Sequence, residues 1–208
     1  EKMLSISQKK HVTSLKQKKF RTTFNSFVIE GVKMVEELLL SEYEVEAFYA
    51  TADWIENNPK VNCVKVSEKE LGQISSLKTP NKVLAVVTQK VLETTNFSSN
   101  LTIALDKLQD PGNMGTIIRT ADWFGVNTIV CSMDSVDIYN PKVIQATMGS
   151  FFRVNVVYDD LPGFFTKNKD LIIYGALLDG EDVYQKKLTD KGAVLLMGNE
   201  SKGISEEL

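Results

Sequence analysis

The chain has 208 residues, 43% of them hydrophobic and 25% charged, with a net charge of −3, which suits one large or two small folded domains and argues against a disordered chain. No apolar run approaches the roughly 18 residues of a bilayer span, and the first residues lack the order of a secretory signal, so a cytoplasmic protein without a membrane partner is expected. The cysteines, Cys63 and Cys131, and the single histidine, His11, are scattered along the chain, which argues against a disulfide framework and against a metal site.

Residues 1–33 carry eight Lys/Arg against Glu1 and Glu30, so the remainder of the chain is strongly acidic. Such a basic end can grip phosphates or can simply be a solvated helix face. After it, FVIEGVKMVEELLLSE places Val32, Val35, Leu38 and Leu39 at helical spacing, a core-facing stripe. EAFYAT and NCVKVS read as short strands around a helix near Asp53 to Asn57. SEKELGQISS opens a helix with a capping box, Ser67 and Glu70. KVLAVVTQ is a third strand, which completes a small α/β unit over residues 1–92.

Residues 93–100, including TTNFSSN, are polar and rich in turn formers and form the expected linker. Residues 101–208 then alternate: strand LTIAL, a helix from Met114 to Phe124, strand NTIVCS, a helix from Pro141 to Met148, and apolar runs FRVNVV, LIIYGALL and AVLLMG. That alternation predicts an α/β domain with a mostly parallel sheet, helices on both faces and ligands at the carboxyl ends of its strands.

Two loops stand at such ends. In DPGNMGTIIRTADWFG, Asp110 to Gly125, Asn113 is read as the helix N-cap and Gly125 as the left-handed stop, with Ile117, Ala121 and Phe124 buried. Arg119, one turn after Gly115, leans back toward the helix N-terminus, where an anion is favoured. The stretch alone is compatible with a plain turn, with a dinucleotide site, or with an RNA site in which Arg119 holds a phosphate or ribose. The dinucleotide alternative lacks the Gly-x-Gly-x-x-Gly fingerprint, and with it a nicotinamide-dependent oxidoreductase loses its support. The second loop, LLMGNESKGIS, Leu195 to Ser205, has Gly198 and Gly203 bracketing Glu200. By itself it is compatible with a turn before a helix starting near Ser205.

Together the two loops carry a resemblance. LDKLQDPGNMGTIIRTADWFGV and LLMGNESKGIS resemble motifs 1 and 2 of the SpoU class (TrmH-like) of RNA ribose 2'-O-methyltransferases in the SPOUT superfamily, and the likeness continues through DIYNPKVIQATMGSFFR between them. KKFRTTFNSFVIEGVKMVEELL and LKTPNKVLAVV resemble the small N-terminal RNA-substrate-binding domain of many members, with Lys82 where glycine is frequent. The resemblance implies methyl transfer from S-adenosyl-L-methionine to a ribose of structured RNA, ribosomal or transfer, by a homodimer with a deep C-terminal trefoil knot. It implies catalytic roles for Asn113, Arg119 and Glu200, cofactor contacts from Leu177, Met197, Gly198, Asn199, Gly203 and Ile204, and RNA contacts from Lys16, Lys18, Lys19, Arg21 and Arg119.

The family's third motif, a Ser-Leu-Asn segment before a last helix, has no counterpart up to Leu208, and its absence would leave the knot incomplete. A guanidinium keeps its proton under nearly all conditions, so Arg119 is expected to bind phosphate and stabilise alkoxide charge rather than act as a resident base. The alternative from another class is an RNA-binding protein on the same scaffold that does not methylate.

Overall fold

A computed structural model describes residues 4–90, 97, 100–189 and 191–208. The expected linker falls largely outside the described residues. Two compact units emerge: Glu1–Val91 together with Tyr139–Phe152, and Leu92–Ile138 together with Arg153–Leu208. The chain therefore leaves the second unit after Ile138 and re-enters it at Arg153, a return that the sequence reading did not anticipate.

The first unit begins with helices α1 (Ile6–Ser14) and α2 (Lys18–Phe24), then strand β1 (Ser26–Glu30), α3 (Val32–Leu39), β2 (Val45–Ala50), α4 (Ala52–Asn57), β3 (Cys63–Lys65), α5 (Glu68–Ile74) and β4 (Val83–Thr88). The sheet order is β1-β4-β2-β3, with β4 antiparallel to both neighbours and β2 parallel to β3. Ser67 and Glu70 form the expected capping box on α5, and the Glu70 carboxylate also accepts from Leu4 N at 3.0 Å. These backbone donors hold the Glu70 carboxyl below its usual pKa.

Three details differ from expectation. FVIE, the opening of the stretch read as an amphipathic helix, belongs instead to strand β1, which is buried at every position, so no polar–apolar alternation marks it. On α3 the buried stripe is Met34, Val35 and Leu38, while Leu39 is exposed. Arg21 is only 3% exposed, and its Nη1 donates to the carbonyls of Leu15 and Lys16, both at 2.9 Å. That guanidinium ties down the end of α1 and is not a surface phosphate contact.

The Glu30 carboxylate, buried where β1 ends, accepts from Ser75 Oγ and from Ser76 N at 2.8 Å, partners that a buried charge requires. The returning segment contributes to this first core. Phe27 packs against Tyr139 and Phe151 with ring centroids 4.7 and 5.5 Å apart, and Gln145 Nε2 donates to Glu30 O at 3.0 Å. Lys82 adopts a left-handed backbone, φ +57°, which accounts for the frequent glycine at this place. Its Nζ lies 2.7 Å from Asp53 Oδ2.

The second unit contains β5 (Leu101–Leu105), α6 (Pro111–Trp123) and β6 (Thr128–Ser132); α7 (Pro141–Thr147) belongs to the returning segment, and β7 (Asn155–Asp159), α8 (Leu161–Lys167), β8 (Ile172–Gly175) and β9 (Ala193–Met197) complete the unit. Its sheet is parallel throughout, in the order β7-β6-β5-β9-β8. Strand β8 thus lies at the opposite edge from β7, and β9 pairs with both β5 and β8. Leu105 is in register with Met197, so the loops after β5 and β9 leave the sheet side by side. Phe165, Leu171, Ile204 and Leu208 pack on Ala104, Val194 and Leu196 over one face. No described helix is long and apolar enough to cross a membrane.

Candidate active site

Helix α6 starts three residues earlier than its apolar pattern suggests. Asp110 is the N-cap, its Oδ1 accepting from Asn113 N at 2.8 Å, and Pro111 occupies the first helical position, where no N–H is needed. Asn113 is therefore not the cap but an exposed residue in the first turn. The change frees its side chain, and Asn113 Nδ2 donates to Glu200 Oε1 at 2.7 Å. Met114, Gly115, Ile118 and Ala121 form the buried face, whereas Phe124 is exposed. Gly125 turns the chain at φ +72°.

Arg119 stands six residues beyond Asn113, about 9 Å along the helix axis at 1.5 Å per residue. It is exposed, with no hydrogen bond or ion pair among the described residues. The structure thus joins Asn113 to Glu200 and leaves the third candidate, Arg119, as an unspent cation on the same helix.

The loop bearing Glu200 is closed on itself. Asn199 and Gly203 exchange two backbone hydrogen bonds of 2.9 Å, and Asn199 Oδ1 accepts from Ser201 N and Oγ. Gly203 takes φ +69°. A Cβ at Gly198 would lie 2.1 Å from the Gly203 carbonyl carbon, so only glycine permits this closure. No helix begins at Ser205; the chain forms a turn there, and Ser205 N donates to Asp106 Oδ2 at 2.7 Å. Sequence reasoning missed Asp106 and Lys107, because a charged pair after an apolar strand carries no distinctive spacing.

Of the predicted cofactor positions, Met197, Gly198, Asn199, Gly203 and Ile204 lie together on this loop. Leu177 follows β8 and is exposed. Ile204 joins the two places, since a Cβ at Gly175 would meet its Cδ1 at 3.4 Å. A cleft of about 850 Å³ runs beside Gly175, Ala176, Leu177, Val183 and Tyr174. Apolar residues dominate its lining, which also includes Lys187, Thr189 and Glu181, the last held by Lys186 at 2.6 Å. Among the predicted cofactor residues only Leu177 lines it, so the cleft adjoins the closed loop rather than coinciding with it. Apolar walls with a few polar groups suit a small organic ligand. No cluster of metal-ligating side chains occurs among the described residues.

Among the basic residues, Lys18 and Lys19 are exposed on α2, with Lys19 Nζ 5.9 Å from the Phe20 ring centre. Lys16 Nζ donates to Ser75 O at 2.7 Å. Cys131 is buried, which pushes its thiol up to about 12, and partial burial also raises that of Cys63. Neither is a candidate nucleophile.

Residues 100–208 match the family model of the SpoU rRNA Methylase family, and residues 7–85 match an MRM3-like substrate binding domain. The Bacillus subtilis 23S rRNA (guanosine(2553)-2'-O)-methyltransferase RlmP is 31% identical over 199 residues, 93% of this chain and 79% of that protein. The mitochondrial rRNA methyltransferase 3 of Xenopus laevis is 29% identical over 172 residues, 74% of this chain but 41% of that longer protein. In structure, an AdoMet-bound rRNA methyltransferase from Sinorhizobium meliloti superposes with a TM-score of 0.85 at 27% identity, covering 99% of this chain and 84% of its own.

Proposed function

Because the chain belongs to the SpoU rRNA methylase family, we propose that it transfers a methyl group from S-adenosyl-L-methionine to a ribose 2'-hydroxyl of structured RNA, with ribosomal RNA as the substrate class. The observation that carries this reading is the hydrogen bond from Asn113 to Glu200, which links the loops after β5 and β9. RlmP and the Xenopus protein are named as ribosomal RNA methyltransferases, which favours ribosomal over transfer RNA.

S-adenosyl-L-methionine, when bound, supplies a methyl group already activated on a sulfonium. Met197, Gly198, Asn199, Gly203, Ile204 and Leu177 are the residues that would hold it. The chain's own task is then to align the ribose and stabilise the charge left as its proton departs; alignment can contribute up to about 7–11 kcal/mol in favourable systems. Arg119 binds the phosphate beside the target ribose and faces the developing alkoxide, as a fixed charge that presents two parallel donors. Asn113 orients the ribose through its amide, and Glu200 fixes that amide by accepting one of its protons. Residues 1–92 engage folded RNA, with Lys18 and Lys19 as phosphate contacts and Lys16 beside them.

The active protein is a homodimer of the cytoplasm in this reading, and the reaction needs no metal. The test is incubation with methyl-labelled S-adenosyl-L-methionine and unmodified ribosomal or transfer RNA, followed by digestion to nucleosides. Label in a 2'-O-methylnucleoside from ribosomal RNA supports the proposal. Label in a base would contradict it, and binding of RNA without any transfer would favour the non-methylating RNA-binding protein.

A further inference from the structure

Resting on that reading of the site, we infer that Asp106 and Lys107 form a latch that holds loop 199–205 in the shape that presents its main chain to the cofactor. Neither residue is placed at the reacting atoms; both are positioning residues. Asp106 is 2% exposed at the carboxyl end of β5. Its own N–H donates to Met197 O at 2.9 Å, and its Oδ2 accepts from Ser205 N at 2.7 Å. One residue therefore grips the β9 loop at its entrance and at its exit.

Lys107 grips the same loop through its carbonyl and its amine, and is anchored to β6 through its N–H. It adopts φ +55°, a conformation that L residues take at a cost unless the surroundings enforce it. In that conformation its N–H donates to Ser132 Oγ at 2.8 Å, which fixes it to β6. Its carbonyl accepts from Asn199 Nδ2 at 2.9 Å. Its Nζ donates to Ser205 Oγ at 2.9 Å and lies 3.5 Å from Glu207 Oε1. Asn199 closes the loop on Gly203 through its main chain and meets Lys107 through its side-chain amide, so the anchor and the closure share one residue.

The geometry explains why a lysine is used where glycine would be less strained. Glycine at 107 would adopt the same backbone and keep the bonds to Ser132 and Asn199. It would lose only the amine that reaches Ser205 and Glu207. The backbone and side-chain halves of the latch can therefore be separated by a single substitution.

The experiment is hydrogen exchange of the Gly203 and Ser205 amides in the full chain, combined with calorimetric titration of S-adenosylhomocysteine. For Asp106→Ala, exchange at Ser205 is expected to accelerate ~10-fold or more, and the ligand to bind ~10-fold or more weakly, because a donor built for a buried acceptor is left unpaired. Asp106→Asn, whose amide oxygen still accepts, should restore both to within about threefold of wild type, and Lys107→Gly should fall between. If Asp106→Ala does not fold, Lys107→Gly decides alone, since it leaves the backbone bonds in place. Accelerated exchange with unchanged affinity would overturn the latch as a cofactor-positioning device. Failure of the wild-type chain to bind S-adenosylhomocysteine, with Ser205 protected, would instead overturn the cofactor reading on which the latch rests.

Discussion

Asn113 Nδ2 and Glu200 Oε1 meet at 2.7 Å although 87 residues separate them in the chain. Parallel pairing of β5 and β9 in register makes that possible, since both loops leave the sheet at the same level. The pairing brings the two glycine-bearing loops together at one end of the sheet. Glu200→Ala, which leaves the Asn113 amide without its acceptor, is expected to lower kcat on the order of 100-fold. Glu200→Gln, whose side-chain oxygen can still accept, should retain activity to within roughly tenfold. Single-turnover methylation of RNA checks both.

Arg119 offers a sharper test of chemistry. A lysine keeps the charge but loses the two-pronged donor geometry. Arg119→Lys should reduce turnover on saturating RNA on the order of 100-fold. Nearly full turnover would mean that charge alone suffices and would rule out a bidentate grip.

Gly198→Ala probes the loop without removing a polar side chain. The added Cβ would lie 2.1 Å from the Gly203 carbonyl carbon, so the closed loop must open. Thermal unfolding should move little, because β9 and its neighbours stay paired, while S-adenosylhomocysteine affinity should fall by about tenfold or more. A loss of affinity no greater than that of a surface substitution would separate the loop from cofactor binding.

The fold was legible where local chemistry and tertiary structure agree. LTIAL is β5 to the residue, and Ser67 with Glu70 caps α5 as its spacing demands. It was not legible where burial erases pattern. SFVIE is buried at all five positions, so β1 has no alternation and merges with the apolar rhythm of α3. Asp110 and Asn113 are both good caps, so the cap of α6 is ambiguous by residue type, and Pro111 is the signal for the earlier start. Arg21 looked like part of a basic stripe, and only its burial shows that its guanidinium is spent on carbonyls. Both motif loops were visible, but not their joint support by Asp106 and Lys107, since nothing in LDK announces a left-handed lysine.

The basic helices give a prediction that separates the two roles of charge. Lys18→Ala with Lys19→Ala should leave the unfolding temperature nearly unchanged and weaken RNA binding with a shallower salt dependence. Arg21→Ala should do the reverse, destabilising the first unit by about 2–3 kcal/mol as two carbonyls lose a charged donor. Equal effects of the two changes on RNA affinity at equal stability would show that burial did not set the distinction.

Lys82 and Asp53 predict a pH effect confined to acid. The Lys82 ammonium, through its hydrogen bond, is the largest influence on the Asp53 carboxyl, lowered from 3.8 to about 2. A lowered folded value means that the contribution is fully present above the unfolded value and is lost as pH falls through about 2. Lys82→Ala should raise the Asp53 value in an NMR titration, leaving the smaller lowering due to Thr51 and the Trp54 N–H. Lys82→Gly should raise it equally, yet be more stable than Lys82→Ala by about 1 kcal/mol, because glycine relieves the left-handed backbone.

The central claim, that the loops after β5 and β9 build one site for methylating a ribose, is tested most directly by mapping 2'-O-methylation across ribosomal RNA in cells with and without the protein. The account predicts that one ribose methyl is lost on deletion, returns with the wild-type chain in its natural context, and does not return with Arg119→Ala. An unchanged ribose map, or full restoration by Arg119→Ala, would contradict it.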